Sequence, residues 1–574
     1  MNRYYLSELD NLREIAQSFA QSNPTLAPQL GQPSSDPDVE RILEGVAFLT
    51  AGIRQKIDDD FPEFSQGLLN QIFPHYLRPI PSTTIMAFQP ANNLTDRIFT
   101  PAGSYVEGKE VDSIKCRFRT TSDVEVSPVS IVSVQNNEAS QGRRAIDIKL
   151  SLSGISLANW KVEDLPFYIG GDYQGAVDTF FILNHFLESI ALIDVQGVES
   201  RVDDVHITPM GFEDDFQLLE YPANSFPAYR IIQEYFLLKE KFLFLKFNNI
   251  GQYLNKMSGN SVILRCYLNE LPMQVPRFTP GRFTLHATPA INLFKHEAES
   301  FINDYRRSEY LLRPMRNQNE QYQIYTVDSV IGNNRKQAVK NDYTPMGSFD
   351  PDQNTSPVYQ TYNRSTDGSS AMTYISFSYP KDHDLENKES VQVEITCSNG
   401  GHTVKLKVGD ICNRTSGTSE LVSFANILTP SESQQPPSGQ SILWRLLSHL
   451  AINYLSLAET DNLKSLLELY IFSGHSGNKQ ELINRKRIDG IVDISVKACD
   501  RLIDGVSLRG QAIQVTVNAT HYTSRGDMYL FGMLLDRVLG SFSSLNSFTE
   551  FSLLDNATDE VYQWPIRAGD RPLI

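Results

Sequence analysis

Apolar residues recur at steps of three and four through the first eighty positions and at steps of two through much of the middle, so the chain divides into parts that fold by different rules. Val39, Ile42, Val46, Leu49, Ile53 and Ile57 gather into one stripe on a helix that Asp36 caps and Pro37 opens. That stripe has to be buried against something. A second helix begins around Asp60, Pro62 and Glu63, carries Leu68, Leu69, Ile72 and Phe73, and stops at Pro74. Upstream, Tyr5, Leu9, Leu12, Ala16 and Phe19 keep the same rhythm, close to the period of a bundle seam. Three such helices can close on one another as a small domain or on a partner, and periodicity does not choose.

After Pro81 the two-fold period takes over, with Ile146, Ile148, Leu150 and Leu152 alternating with polar residues as on a half-buried strand. Val391 to Cys397 and Val404 to Val408 read as an antiparallel hairpin turned by Asn399-Gly400. Helical insertions are expected at Arg230 to Leu238 and at Ala290 to Tyr305, and an exposed loop over 332–370, where aliphatic residues are scarce. The proline-containing stretch from Thr429 to Gln440 marks a boundary. Beyond it, helices are expected around Leu443 to Leu450, Leu463 to Tyr470 and Met528 to Phe542, with strands at Ile491 to Val496 and Ile513 to Val517. The expected class is therefore α+β and multidomain. An N-terminal helical segment (1–80) leads into a β-rich domain with helical insertions (81–290), a second, wing-like β-rich region (291–430) and a mixed α/β C-terminal domain (431–574).

At 574 residues the chain exceeds what one core serves, which supports several domains. A formal charge of −17 argues against nucleic acid and anionic lipid as partners. Five cysteines without a CxxC pair suit a reducing compartment, and neither a secretory leader nor a membrane span is legible; the expected location is cytoplasmic.

No sequence pattern forces an enzymatic reading. Phosphate-loop, dinucleotide, HExxH and GxSxG motifs are absent, and Gly474-His475-Ser476-Gly477 is one residue short of a nucleophile elbow. His286 and His296-Glu297 match no zinc spacing, Cys397 and Cys412 read as ordinary thiols, and Arg485-Lys486-Arg487 reads as a solvated helix end. Asp58, Asp59 and Asp60 read as caps between helices that oppose the first helix's dipole and suit a basic neighbour. No catalytic residue, cofactor or metal is expected. His75 lies in PHYLRP, where Pro74, Pro79 and Pro81 make a stiff joint between the helices and the β domain. A rival reading, a carbohydrate-binding or hydrolytic β protein, rests on Tyr168, Tyr173, Phe180 and Phe181 as an aromatic platform.

Several long blocks resemble the TssF family of type VI secretion baseplate components. They are Tyr4-Tyr5, Glu8-Leu9 and Leu12-Arg13-Glu14; DPDVERILEGVAFLTAGIRQKIDDDFPEF from Asp36; PHYLRPIPS from Pro74; and the stretches Leu285 to Glu299, Trp444 to Leu457 and Tyr529 to Glu550. The resemblance implies a structural wedge subunit, similar to contractile-phage wedge proteins, in which two TssF copies join one TssG. TssE, TssK, neighbouring wedges and a VgrG-type spike complete the assembly near the inner membrane, where its rearrangement is coupled to sheath contraction. It implies partner contacts at Tyr5, Leu9, Leu12, Phe19, Val39, Ile42, Val46, Leu49 and Ile53, and packing near the subunit junction at Tyr529, Phe531, Leu535 and Val538. Two unlike copies would need hinges, for which Pro79, Pro81 and the stretch from Thr429 to Gln440 are the candidates.

Overall fold

Alternating apolar positions build most of this molecule, and helices fill the places where the period lengthens. The structure is a computed structural model that describes residues 2–22, 37–58, 73–138, 143–221, 225–273, 275–278, 281–315, 322–334, 339–346, 357–364, 372–380, 388–415, 417–436, 459–472, 479–503 and 505–569. Among the described residues, the helices of ten residues or more are α1 (Asn2–Ser22), α2 (Pro37–Asp58), α3 (Tyr173–His185), α4 (Pro227–Leu237), α5 (Thr460–Leu469), α6 (Lys479–Asp489) and α7 (Arg525–Ser541). The class is α+β, rich in strand and divided among several sheets.

A six-stranded sheet collects strands from distant parts of the chain, in the order Ile411–Asn413, Tyr105–Val111, Ile114–Thr120, Ala287–Ile291, Thr83–Pro90 and Val422–Asn426. Met86, Phe88, Val106, Phe118 and Phe424 fill its core. A five-stranded sheet centred on Ser261–Leu268 and a four-stranded sheet centred on Phe244–Asn248 and Leu165–Ile169 share a larger core with α3, α4 and α7, which runs from Phe73 to Trp564. Middle and C-terminal parts are thus joined by one continuous apolar interior. An eight-stranded sheet forms the wing around Glu389–Ser398 and Gln323–Asn334.

The expected strand over Ile146 to Leu152 is found as Arg144–Leu152, and α4, α5 and α7 lie where helices were expected. Three expectations are corrected. Asn399-Gly400 does not turn a hairpin, because Glu389–Ser398 already has Gln323–Asn334 on one side and Phe294–Glu297 with Phe301–Asn303 on the other. With no edge left, Gly400–Lys405 winds as a 3-10 helix and Val404 and Val408 stay exposed. The stretch from Ala290 to Tyr305 is strand, not helix, since Ala287–Ile291 is held between two strands of the six-stranded sheet. The expected loop over 332–370 contains the paired strands Val339–Pro345 and Val358–Arg364. The expected helices at Asp60 to Phe73 and Leu443 to Leu450 fall outside the described residues, apart from Phe73.

Candidate partner-binding surface

Helices α1 and α2 pack on each other through small residues. Leu9 is buried, and so are Ala47 and Ala51, whose single methyl groups let the two backbones approach closely. Arg13 Nη2 donates to Glu40 Oε2 at 3.1 Å and fixes the pairing across the two helices. These buried residues stand apart from the main core.

What the pairing leaves uncovered is more informative. With about 3.6 residues per turn, Ile42 and Leu49 lie about half a turn, and Val46 about a third of a turn, from the Ala47–Ala51 face. Ile42, Val46 and Leu49 are 66%, 40% and 68% exposed. On α1, Leu12 is half-buried and Ile15 is 65% exposed. The result is an apolar stripe on the side of α2 that faces away from α1. Burying its exposed aliphatic groups would contribute about 3–5 kcal/mol.

The chain leaves this region through a tightly bonded joint. Phe73 packs edge-on to Tyr229, Tyr76 donates its hydroxyl to the Leu469 carbonyl at 3.1 Å, and the His75 ring stacks on Tyr221 with centroids 4.2 Å apart. His75 Nε2 lies 3.3 Å from the Tyr470 hydroxyl. Burial, assisted by Arg78, pulls the imidazole down to about 3, so it is neutral at ordinary pH. Ile80 and Gln434 then exchange both backbone hydrogen bonds, at 2.8 and 2.9 Å. The Ser433 hydroxyl donates to the Ile80 carbonyl, and the Thr83 amide donates to the Ser431 hydroxyl.

The candidate hinge residues Pro79 and Pro81 are buried in this conformation, and the strap from Thr429 onward is hydrogen-bonded to the segment that contains them.

A correction concerns α7. Tyr529, Phe531, Leu535 and Val538 lie inside the chain's own core, at 5%, 0%, 0% and 0% exposure, and cannot touch a partner in this conformation. Helix α7 is instead bound to α3. The Ser524 hydroxyl and Gly526 amide donate to Asp178 at 2.6 and 3.1 Å, and Gly526 allows the approach, because a Cβ there would stand 2.5 Å from the Val177 carbonyl oxygen. Beside this contact, Arg487 is fully buried and bonds Asp527 through Nε and Nη2 at 3.1 Å, while the Tyr173 hydroxyl donates to Asp527 at 2.6 Å. Burial alone would raise the Asp527 carboxyl, but Arg487, Tyr173 and the Thr523 amide outweigh it and hold it below the usual range. Reading the Arg485-Lys486-Arg487 run as solvated was therefore wrong for Arg487, which locks α6 to α7.

The remaining expected positions sort simply. Tyr5 and Leu12 are half-buried, Leu9 is covered by α2, and the side chains of Phe19, Val39 and Ile53 lie outside the described residues. Sequence reasoning missed Leu6, Ile15 and Phe48, exposed apolar residues that fall off the stripes on which it concentrated. Tyr168, Phe180 and Phe181 are buried, so the aromatic platform of the rival reading is core. His286 is buried and its Nε2 accepts from the Ser127 amide, and among the described residues no three metal-binding side chains converge. Among the described residues, no helix is long and apolar enough to cross a membrane.

Buried polar groups that join the chain's own parts, beside helices whose apolar flank is bare, define a structural subunit built for assembly. Over residues 1–571 the chain matches the sequence model of the family described as "Type VI secretion system, TssF", and it belongs to that family. It is 27% identical to the type VI secretion system component TssF1 of Pseudomonas aeruginosa, across 99% of this chain and 98% of that one. Its fold is similar to a chain of the TssK-TssF-TssG baseplate subcomplex solved by cryo-electron microscopy, with a TM-score of 0.78, 27% identity and coverage of 93% of this chain and 99% of that chain. A second likeness, to a chain of the type VI secretion baseplate complex, has a TM-score of 0.65 at 25% identity and covers both chains completely.

Proposed function

We propose that this chain is a structural wedge subunit of a type VI secretion baseplate, and that the apolar stripe of α2 turned away from α1 is where other subunits complete it. The observation that carries the reading is the exposure of Ile42, Val46 and Leu49 along one stripe of α2. Helical stripes with such spacing are covered by further helices in a bundle. By similarity to the solved subcomplex, TssG and TssK are the first partners, with a second copy of this chain, TssE, neighbouring wedges and a VgrG-type spike as further members of a cytoplasmic assembly near the inner membrane.

The work of such a subunit is mechanical. The bonded joint from Phe73 to Thr83 anchors the chain that follows the helices to the β body, and through it a change in wedge contacts is coupled to the rest of the assembly and to sheath contraction. The test is co-production of the full chain with TssG and TssK, comparing wild type with the Ile42→Asp/Leu49→Asp double variant. The variant is expected to lose co-purification at least tenfold while its own unfolding transition stays in place. Undiminished co-purification would refute the assigned surface.

A further inference from the structure

The wing has an apolar core of its own. Phe294, Tyr310, Val330, Val391 and Ile395 lie in it, and among the described residues it is separate from the two larger cores of the body. From outside the wing, Tyr105 of the six-stranded sheet packs against it. Apolar contact is non-directional, and so little of it across the boundary does not set an angle between the two parts. The chain crosses that boundary twice, outward between Ile291 and Phe294 and back after Ser398.

An asparagine stands at each crossing. Asn292 and Asn399 are 0% and 1% exposed. Asn292 Nδ2 donates to Asn399 Oδ1 at 2.8 Å, and the Asn399 backbone amide donates to Asn292 Oδ1 at 2.7 Å. The pair also closes on the six-stranded sheet. Asn292 Nδ2 donates to the Arg117 carbonyl at 2.6 Å, and the Arg117 amide donates to Asn399 Oδ1 at 3.1 Å. Backbone pairing of Ile114–Thr120 with Ala287–Ile291 ends at Arg119 opposite Ile291, so the two side chains take the place of a further strand residue and satisfy both main-chain groups of Arg117. The Asn292 amide donates to the Ser82 carbonyl at 2.8 Å, which ties the outward crossing to the start of Thr83–Pro90 as well. Asn399 thus serves the crossing, where a hairpin turn was expected.

We infer that the Asn292–Asn399 pair is the lock that sets the angle of the wing on the body, so that the two move as one piece and whatever seats on the wing is held at a fixed place relative to the body. Hydrogen bonds are directional, and four of them share two buried side-chain amides, so turning either crossing breaks several at once and strands polar groups away from water. The other polar contacts between wing and body are made by half-buried residues. Gln323 Nε2 donates to Gln435 Oε1 at 2.8 Å, and Arg78 lies over the Tyr325 ring at 5.5 Å, where solvent competes. The lock belongs to the chain alone and holds whether or not the proposed assembly forms.

Double electron–electron resonance on the full chain tests it, with spin labels at Ile302→Cys on the wing and Val132→Cys on the body, both exposed positions, in a Cys412→Ser/Cys499→Ser background. One narrow distance distribution is expected for this parent. Asn292→Ala should broaden it at least twofold. Asn399→Ala, which keeps the bond from Asn292 to the Arg117 carbonyl, should broaden it less, and Gln323→Ala should leave it unchanged. A label pair within the body, Val132→Cys with Val561→Cys, should keep its width throughout. A broad wing-to-body distribution in the parent, or a width that neither asparagine variant moves, overturns the inference. Equal broadening of the body pair would show general loosening and overturn it too. Should Asn292→Ala fail to fold, Asn399→Ala and the parent decide by the same criteria.

Discussion

Helices α2 and α7 carry the same kind of apolar spacing and use it in opposite ways. Leu535 and Val538 of α7 are wholly covered by the chain itself, whereas Ile42 and Leu49 of α2 are about two-thirds exposed. The difference lies in what surrounds each helix. Helix α7 is flanked by α3, α4 and the strand Phe548–Asp555, and its first turn is pinned by Asp178 and Arg487. Helix α2 has α1, which covers Ala47 and Ala51 and leaves the opposite side free. Apolar period states that a face is to be buried; only the number of neighbours states by whom.

The largest effect should come from α7's anchor. Arg487→Ala leaves Asp527 charged and buried without its partner, and should cost about 3–5 kcal/mol, read as a lower midpoint in urea denaturation. Next, Leu535→Ala should cost about 2–5 kcal/mol by opening a cavity, while Leu49→Ala in the isolated chain should change stability by no more than about 0.5 kcal/mol. Equal losses at the two positions would abolish the contrast between the helices.

Acid should act on the joint between these regions. Burial holds His75 down to about 3 and His286 down to about 4, well below the value of about 6.5 for a free imidazole. The unfolded chain therefore binds more protons as pH falls below about 6.5, and stability is lost from there down to the folded values, by up to about 1.4 kcal/mol per pH unit for each ring. His75→Phe should flatten part of that slope in denaturation curves between pH 6 and about 4. The smallest effect is expected at the strap, where Ser431→Ala removes a hydroxyl bonded to Thr83 and should cost about 1 kcal/mol.

Much of the helical framework was legible because capping residues and spacing are local. Pro37, the run from Leu463 to Tyr470 and the run from Met528 to Val538 led to helices where α2, α5 and α7 lie. The wing was harder to read, because pairing there is decided by distant strands. Asn399-Gly400 is a good turn in isolation, yet Glu389–Ser398 had no free edge for a hairpin to use. Arg487 was misread for a related reason. Two basic neighbours suggest solvent, and its partner Asp527 lies forty positions away. For the candidate surface, the stripe on α2 was visible, but Leu9's role against α2 and the exposure of Leu6, Ile15 and Phe48 depend on how the two helices meet. The hydrogen bonds that tie the joint to the strap were not legible, because they join Ile80 and Thr83 to Gln434 and Ser431, about 350 positions away.

The most direct test places a photo-crosslinking residue at Leu49, and separately at Leu535, in the full chain assembled with TssG and TssK. The account predicts crosslinks from position 49 to another subunit and only within the chain from position 535. Intersubunit crosslinks from 535, or none from 49 in an intact complex, would contradict it.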